Sequence, residues 1–125
     1  MTRLGSALAR VVVATGLSIA GIGASAAAGA LAVGACGAYG FSYDYVKSEA
    51  AKTAALGNCT GDCKIVTPIK RNCAAFAIDV KNACGAVGYA AAPRLGQAQN
   101  TALRYCYRYG GKDCVIRAWV CDAKG

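Results

Sequence analysis

The sequence predicts an α+β domain: internally duplicated β-β-α-β halves with pseudo-two-fold symmetry, two helices packed on antiparallel sheet, stapled by disulfides. Three observations predict it. One pattern occurs twice, as Ala51-Lys52-Thr53-Ala54-Ala55-Leu56-Gly57-Asn58-Cys59 and Ala98-Gln99-Asn100-Thr101-Ala102-Leu103-Arg104-Tyr105-Cys106, both reading A-x-x-x-A-L-x-x-C. Eight cysteines occur with no histidine. Around Tyr39 the chain alternates with period two, and the repeated segments have helical spacing.

The chain opens with arginines at positions 3 and 10 and no acid, runs through apolar residues 11–24, and reaches Ala24-Ser25-Ala26, a small-x-small cleavage pattern. That layout predicts a signal peptide over 1–26 and a secreted or periplasmic protein, with no transmembrane segment in the mature chain. A single disulfide-rich domain then occupies 27–125, with repeat one at about 30–73 and repeat two at about 74–122. Two other readings of this region exist. The uncharged run from Val11 to Tyr43 is long enough to span a membrane. Val33-Gly34-Ala35-Cys36 also loosely fits a lipidation box. Lipidating Cys36 would leave an odd thiol in an oxidising compartment, which parity disfavours.

The flanks of the repeat agree as well. Ala35-Cys36-Gly37-Ala38-Tyr39-Gly40-Phe41 matches Ala83-Cys84-Gly85-Ala86-Val87-Gly88-Tyr89, and Asp62-Cys63-Lys64-Ile65 matches Asp113-Cys114-Val115-Ile116. Cys73 then closes the first half and Cys121 the second, so each half is read as carrying four cysteines in one order.

Each element follows from local chemistry. Tyr39, Phe41, Tyr43 and Tyr45 alternate with Gly40, Ser42 and Asp44, giving a strand with one aromatic face. Ser48 is expected to cap a helix, with Glu49 at the positive end of its dipole. Ala51, Ala55 and Cys59 fall on one inward stripe, and alanine there lets the helix sit close to a sheet. Gly57 and the Thr60-Gly61-Asp62 turn end the helix. Residues 63–69 read as a strand that Pro68 confines to an edge. Residues 74–80 and 84–91 read as strands, about 95–108 as a helix and 114–121 as a strand, with Gly110-Gly111 as the second break. Each helix is pinned to a sheet by its terminal cysteine.

After an export signal, Cys36, Cys59, Cys63, Cys73, Cys84, Cys106, Cys114 and Cys121 read as a disulfide framework. Cys59-x-x-x-Cys63 followed by Cys73 could instead begin a zinc site. The lack of histidine and the oxidising destination argue against it, so no metal and no cofactor are expected.

These residues resemble an exported bacterial family known as domain of unknown function 4189. Its pattern is Gly-x-x-Gly-aromatic-Ser, an alanine-rich helix ending Ala-Leu-x-x-Cys, then Cys-x-Val-Val and a further cysteine, all twice. Here that is Gly37 to Tyr43, Ala51 to Cys59, Cys63 to Val66 and Cys73, then Gly85 to Tyr89, Ala98 to Cys106, and Cys114 to Cys121. The resemblance covers about residues 30–122. Two departures stand out: Ala30-Leu31-Ala32-Val33 replaces a Trp-Gly-Ala-Ile-Ala-like opening strand, and Cys36 and Cys84 are additions to the usual six cysteines. Their equivalent places suggest a bond to each other across the pseudo-axis. The remaining bridges are then expected as Cys59 with Cys73, Cys106 with Cys121, and Cys63 with Cys114. The resemblance implies secretion and a compact domain, with no assigned chemistry.

Lys and Arg total 14 against 6 Asp and Glu, a net charge of +8. The chain stays basic without Arg3 and Arg10. Such a field suits anionic envelope polymers or lipids, and serves ordinary solubility equally well. No nucleic-acid partner is expected. Without histidine, Ser-His-Asp and Cys-His arrangements cannot exist. Asp62 and Asp113 duplicate each other beside a turn cysteine and read as turn residues. A carboxylate pair drawn from Asp44, Glu49, Asp62, Asp79, Asp113 and Asp122 is the remaining route to hydrolysis. No strand–GxGxxG–helix unit occurs, so nucleotide binding has no support. Asn58-Cys59-Thr60 fits a glycosylation sequon, but its cysteine is structural.

Two clusters are candidate binding sites. The aromatic face Tyr39, Phe41, Tyr43, Tyr45 could stack on sugars or bases, or be the core side of a sheet. Arg104, Arg108, Lys112 and Arg117, interleaved with Tyr105, Tyr107 and Tyr109, could bind an anion, or form a solvated face near a helix C-terminus. The expected function is therefore an exported, non-enzymatic binding domain acting at the cell envelope, on an anionic surface or on another protein. The alternative is a small secreted inhibitor of a protease or other hydrolase, presenting Gly110-Gly111-Lys112 or Thr67-Pro68-Ile69-Lys70 as a rigid loop.

Overall fold

Alternation of small and large side chains decides how the layers stack. The computed structural model describes residues 28–122, in the order β1 Ala28–Val33, a short 3-10 turn at Ala35–Gly37, β2 Tyr39–Tyr45, α1 Ser48–Gly57, β3 Lys64–Lys70, β4 Cys73–Asp79, β5 Val87–Ala92, α2 Leu95–Arg108 and β6 Cys114–Cys121. In β1, Ala30 and Ala32 pack with Ala55 and Cys59 of the α1 region. Leu31 packs the other way, with Ile69, Phe76 and Val120. In β4, Ala75 and Ala77 meet Ala98, Ala102 and Cys106 of α2, while Ala74, Phe76 and Ile78 meet the opposite sheet. Small residues thus admit a helix and large ones fill the space between sheets, giving four layers: helix, sheet, sheet, helix.

The duplicated β-β-α-β architecture is as the sequence predicts, and the opening strand forms. Each half makes its own three-stranded antiparallel sheet with its first strand central, β2-β1-β3 and β5-β4-β6. Even the irregularities repeat: the β1–β3 register shifts between Leu31 and Ala32, and the β4–β6 register between Phe76 and Ala77. Phe76, Leu31 and Ile69 are fully buried between the sheets, and each contributes about 1.5–3 kcal/mol by leaving water.

The helices lie on strand backbone. A Cβ on Gly40 would collide with the Ala55 carbonyl and lie 2.7 Å from the Cys59 nitrogen. A Cβ on Gly88 would collide with the Ala102 carbonyl and lie 2.6 Å from the Cys106 nitrogen. The second glycine of each Gly-x-x-Gly motif is therefore where strand and helix touch. The buried Ser42 hydroxyl adds a 2.6 Å bond to the Ala51 carbonyl. Ser48 is not the cap it was expected to be: Lys47 holds the N-cap position with no side-chain hydrogen bond, and Ser48 is already helical.

Four disulfides close the frame, and no cysteine among the described residues is free. Cys36–Cys84 joins the halves as expected. The other three pairings differ from expectation: they are Cys59–Cys63, Cys106–Cys114 and Cys73–Cys121. Each helix end sits above the start of the next strand, so Cys59 and Cys106 reach Cys63 and Cys114 with Cα separations of 6.3 and 6.2 Å. Cys121 lies at the far end of β6 from Cys114, about 23 Å along the strand, beyond any disulfide. Strand register also corrects the cysteine count. Ala28 pairs with Lys70 where Cys73 pairs with Cys121. Cys73 therefore opens the second half, and the cysteines divide three and five instead of four and four. The Cys36–Cys84 bond also removes the lipidation reading, because one sulfur cannot hold both a lipid and a disulfide.

The expected leader and its cleavage site lie outside the described residues. Among the described residues, no helix is long and apolar enough to cross a membrane.

Candidate functional site

Duplication sets up two equivalent edges, and they are finished differently. On the first, the Asn58 side-chain amide donates to the Phe41 carbonyl at 3.2 Å. That carbonyl therefore points away from β1, where Phe41 is the register partner of Leu31. Tyr89 holds the same place opposite Phe76, so its N–H and C=O point away from β4. Tyr105 stands where Asn58 stands, and a ring offers no amide. Instead a cleft of about 820 Å³ opens beside β5, lined by Gly85, Ala86, Val87, Gly88 and Tyr89 with Tyr105 and Tyr109.

The two helix tyrosines are four residues apart and stack with ring centroids 6.2 Å apart and an interplanar angle of 16°. Arg108 lies over the Tyr105 ring, its guanidinium carbon 5.2 Å from the centroid. Tyr109 is 67 % exposed, so the stack presents a face to solvent. Arg104 reaches the Thr101 hydroxyl at 3.3 Å, on the exposed surface of α2. Neither arginine makes a salt bridge among the described residues; Lys52 pairs with Glu49 on α1.

The four basic residues do not form one cluster. Arg104 and Arg108 share the exposed side of α2, and Lys112 follows in the turn before β6. Arg117 is elsewhere: its Nε donates to the Gly37 carbonyl at 3.2 Å and its guanidinium lies over Tyr39 at 5.2 Å. It sits at the register irregularity of β6 and ties that strand to the first half beside the Cys36–Cys84 bond. Its role is cohesive.

The aromatic face also divides. Tyr39 and Phe41 stack at 6.2 Å and pack on the inter-sheet core, where Tyr39 meets Phe76. Tyr43 continues the ladder but is half exposed, and with Phe41 and Trp119 it lines a smaller cleft of about 400 Å³. Asp44 takes a left-handed φ of 58° and the register shifts there, so the ladder stops before Tyr45. The strict alternation read from the sequence is broken by that bulge.

The two buried carboxylates are occupied by the fold. Asp79 accepts backbone N–H bonds from Lys81 and Lys112 at 2.9 and 3.0 Å and from Asp113 at 3.3 Å. The Lys112 amide, then the Lys81 amide, hold its pKa below the ordinary carboxylate value. Asp122 is fully buried and accepts from the backbone N–H groups of Asp44 and Arg71, both left-handed. Asp79 and Asp122 stand at opposite ends of the second sheet, about 20 Å apart along β4, so they are no acid/base pair. Among the described residues, no three His, Cys, Asp or Glu side chains converge as metal ligands.

Sequence reasoning did not single out Tyr89, and it named Asp79 and Asp122 only as candidate carboxylates, not as anchors for backbone amides. Tyr89 was visible as the partner of Phe41 in the repeat. Nothing local marks the aspartates, whose donors are distant backbone amides.

A family model described as "Domain of unknown function (DUF4189)" matches residues 28–121, spanning both halves. The chain belongs to the DUF4189 family. No curated protein and no solved structure matches it. The DUF4189 match takes in every element of the fold, and the cleft beside β5 lies wholly inside it.

Proposed function

We propose that this DUF4189 domain is an exported, non-enzymatic binding module, and that the cleft beside β5 is its binding face for ligands carrying anionic groups. The observation that carries the reading is the exposed Tyr105–Tyr109 stack with Arg108 over it, beside an open strand edge. Stacked rings give contact area at little entropic cost, and an arginine with no carboxylate partner among the described residues suits a negative group. Four disulfides and a net charge of +8 suit work on anionic material outside the cytoplasm. The absence of histidine, and the engagement of both buried aspartates by backbone, favour binding over turnover.

The test is a titration of the purified domain with anionic polymers, vesicles and acidic peptides, read by tyrosine fluorescence and repeated at high salt. Binding that weakens with salt supports the reading. No response from any of them, or a response indifferent to salt, removes it.

One observation favours the inhibitor reading. The turn carrying Gly110, Gly111 and Lys112 is closed by Cys106–Cys114 and held by Asp79, a rigid presentation for a loop that enters an enzyme cleft. Thr67-Pro68-Ile69-Lys70 cannot serve in that way, because it lies within β3. Loss of inhibition in Lys112→Ala with all four bridges intact would support this second reading. No inhibition across proteases and lysozymes would retire it.

A further inference from the structure

We propose that β5 captures an extended acidic peptide by strand addition, the peptide lying in the cleft between the outer edge of β5 and the Tyr105–Tyr109 stack. This rests on the reading of that cleft as the binding face.

Three of the four outer strands are guarded. β3 carries Pro68 and ends in lysines at both termini. β6 carries Arg117 beside its register shift. β2 has a bulge at Asp44, and Asn58 occupies the Phe41 carbonyl. Such features stop foreign strands from docking. β5 has none of them: Val87–Ala92 contains no charge and no proline, and it pairs with β4 through six consecutive residues without a shift. Its outward backbone groups belong to Val87, Tyr89 and Ala91, by the parity that turns the Phe41 carbonyl outward. The cleft is therefore bounded by a regular edge strand on one side and a helix on the other, the geometry in which an added strand gains main-chain hydrogen bonds and side-chain contacts together.

Charge selects the occupant. Neither β5 nor α2 contains a carboxylate, while Arg104 and Arg108 lie on α2. A second copy of the chain would bring the same arginines to the same place, so self-pairing is opposed. An acidic extended segment meets them with opposite charge, and its alternate side chains fall against the tyrosine rings.

The test uses a capped heptapeptide alternating valine and glutamate, its lysine counterpart, and two N-methylated versions, one blocking the valine N–H groups and the other the glutamate set. Inorganic polyphosphate is the non-peptide anion. Strand addition predicts that the glutamate peptide shifts the backbone amide signals of Val87, Tyr89 and Ala91. It predicts that one methylated version binds about tenfold more weakly or worse while the other binds nearly as well as the parent, and that the lysine peptide fails. Equal binding by the parent, both methylated versions and polyphosphate would overturn strand addition and leave the anionic binding face standing. Equal binding of the lysine peptide would overturn the acidic assignment. No binding by any of the probes would remove both readings.

Discussion

Gly88 lies so close under α2 that a Cβ there would sit 2.6 Å from the backbone nitrogen of Cys106. Gly88→Ala is therefore expected to lower stability by about 1–3 kcal/mol through overpacking, and Gly40→Ala likewise against Cys59. Gly96, inside α2 with open space around its would-be Cβ, should behave in the opposite way, with Gly96→Ala gaining about 0.5–1 kcal/mol. Urea unfolding midpoints of the three variants check the contrast.

The bridges differ in how much chain they enclose. Cys36–Cys84 and Cys73–Cys121 each span 48 residues, Cys106–Cys114 spans 8 and Cys59–Cys63 spans 4. On loop entropy alone, replacing either long bridge by alanines should cost about 2 kcal/mol more than replacing Cys59–Cys63. Thermal unfolding of the four double variants gives the order, and peptide mapping without reductant gives the pairing.

Asp79 makes stability depend on pH with a definite sign. Three backbone amides favour its ionised form, so its folded pKa lies below the ordinary aspartate value. Its contribution is present above that value and is lost as pH falls through the folded pKa. Wild type should weaken steadily as pH drops below about 4. Asp79→Asn should be less stable near neutrality and should lose less over the same acid range. Unfolding midpoints measured from pH 7 to pH 2 separate the two curves.

Arg108→Ala should weaken an anionic ligand about five- to tenfold, by removing its charge and its contact with Tyr105, while changing stability by no more than about 0.5 kcal/mol. Arg117→Ala should do the reverse, because Arg117 bonds to Gly37 and covers Tyr39 across the two halves. Paired binding and unfolding measurements on the two variants distinguish a ligand-facing arginine from a cohesive one.

Much of the fold could be read from the chain because its signals are local and doubled. The Ala51, Ala55, Cys59 stripe and its copy mark both helices, and α2 runs over the predicted residues. What escaped depends on three-dimensional placement. The helix-end cysteines pair with Cys63 and Cys114 because each helix ends above the start of a strand, which spacing alone does not reveal. Cys73 and Cys121 looked like equivalents in order along the chain, yet strand register makes them partners across one sheet. Of the candidate site, Arg104, Arg108, Tyr105 and Tyr109 were visible as one basic and aromatic run. The other wall of the cleft was not, because the edges differ by the exchange of Asn58 for Tyr105 and by a bulge at Asp44 that β5 lacks, and both act only through strand placement.

Hydrogen exchange of the β5 amides in the free protein tests the open edge most directly. An open edge gives fast exchange at Val87, Tyr89 and Ala91 and slow exchange at Gly88 and Ala90, which face β4. Slow exchange at Val87, Tyr89 and Ala91 as well would mean that the edge is already covered and that β5 has no free side for an added strand.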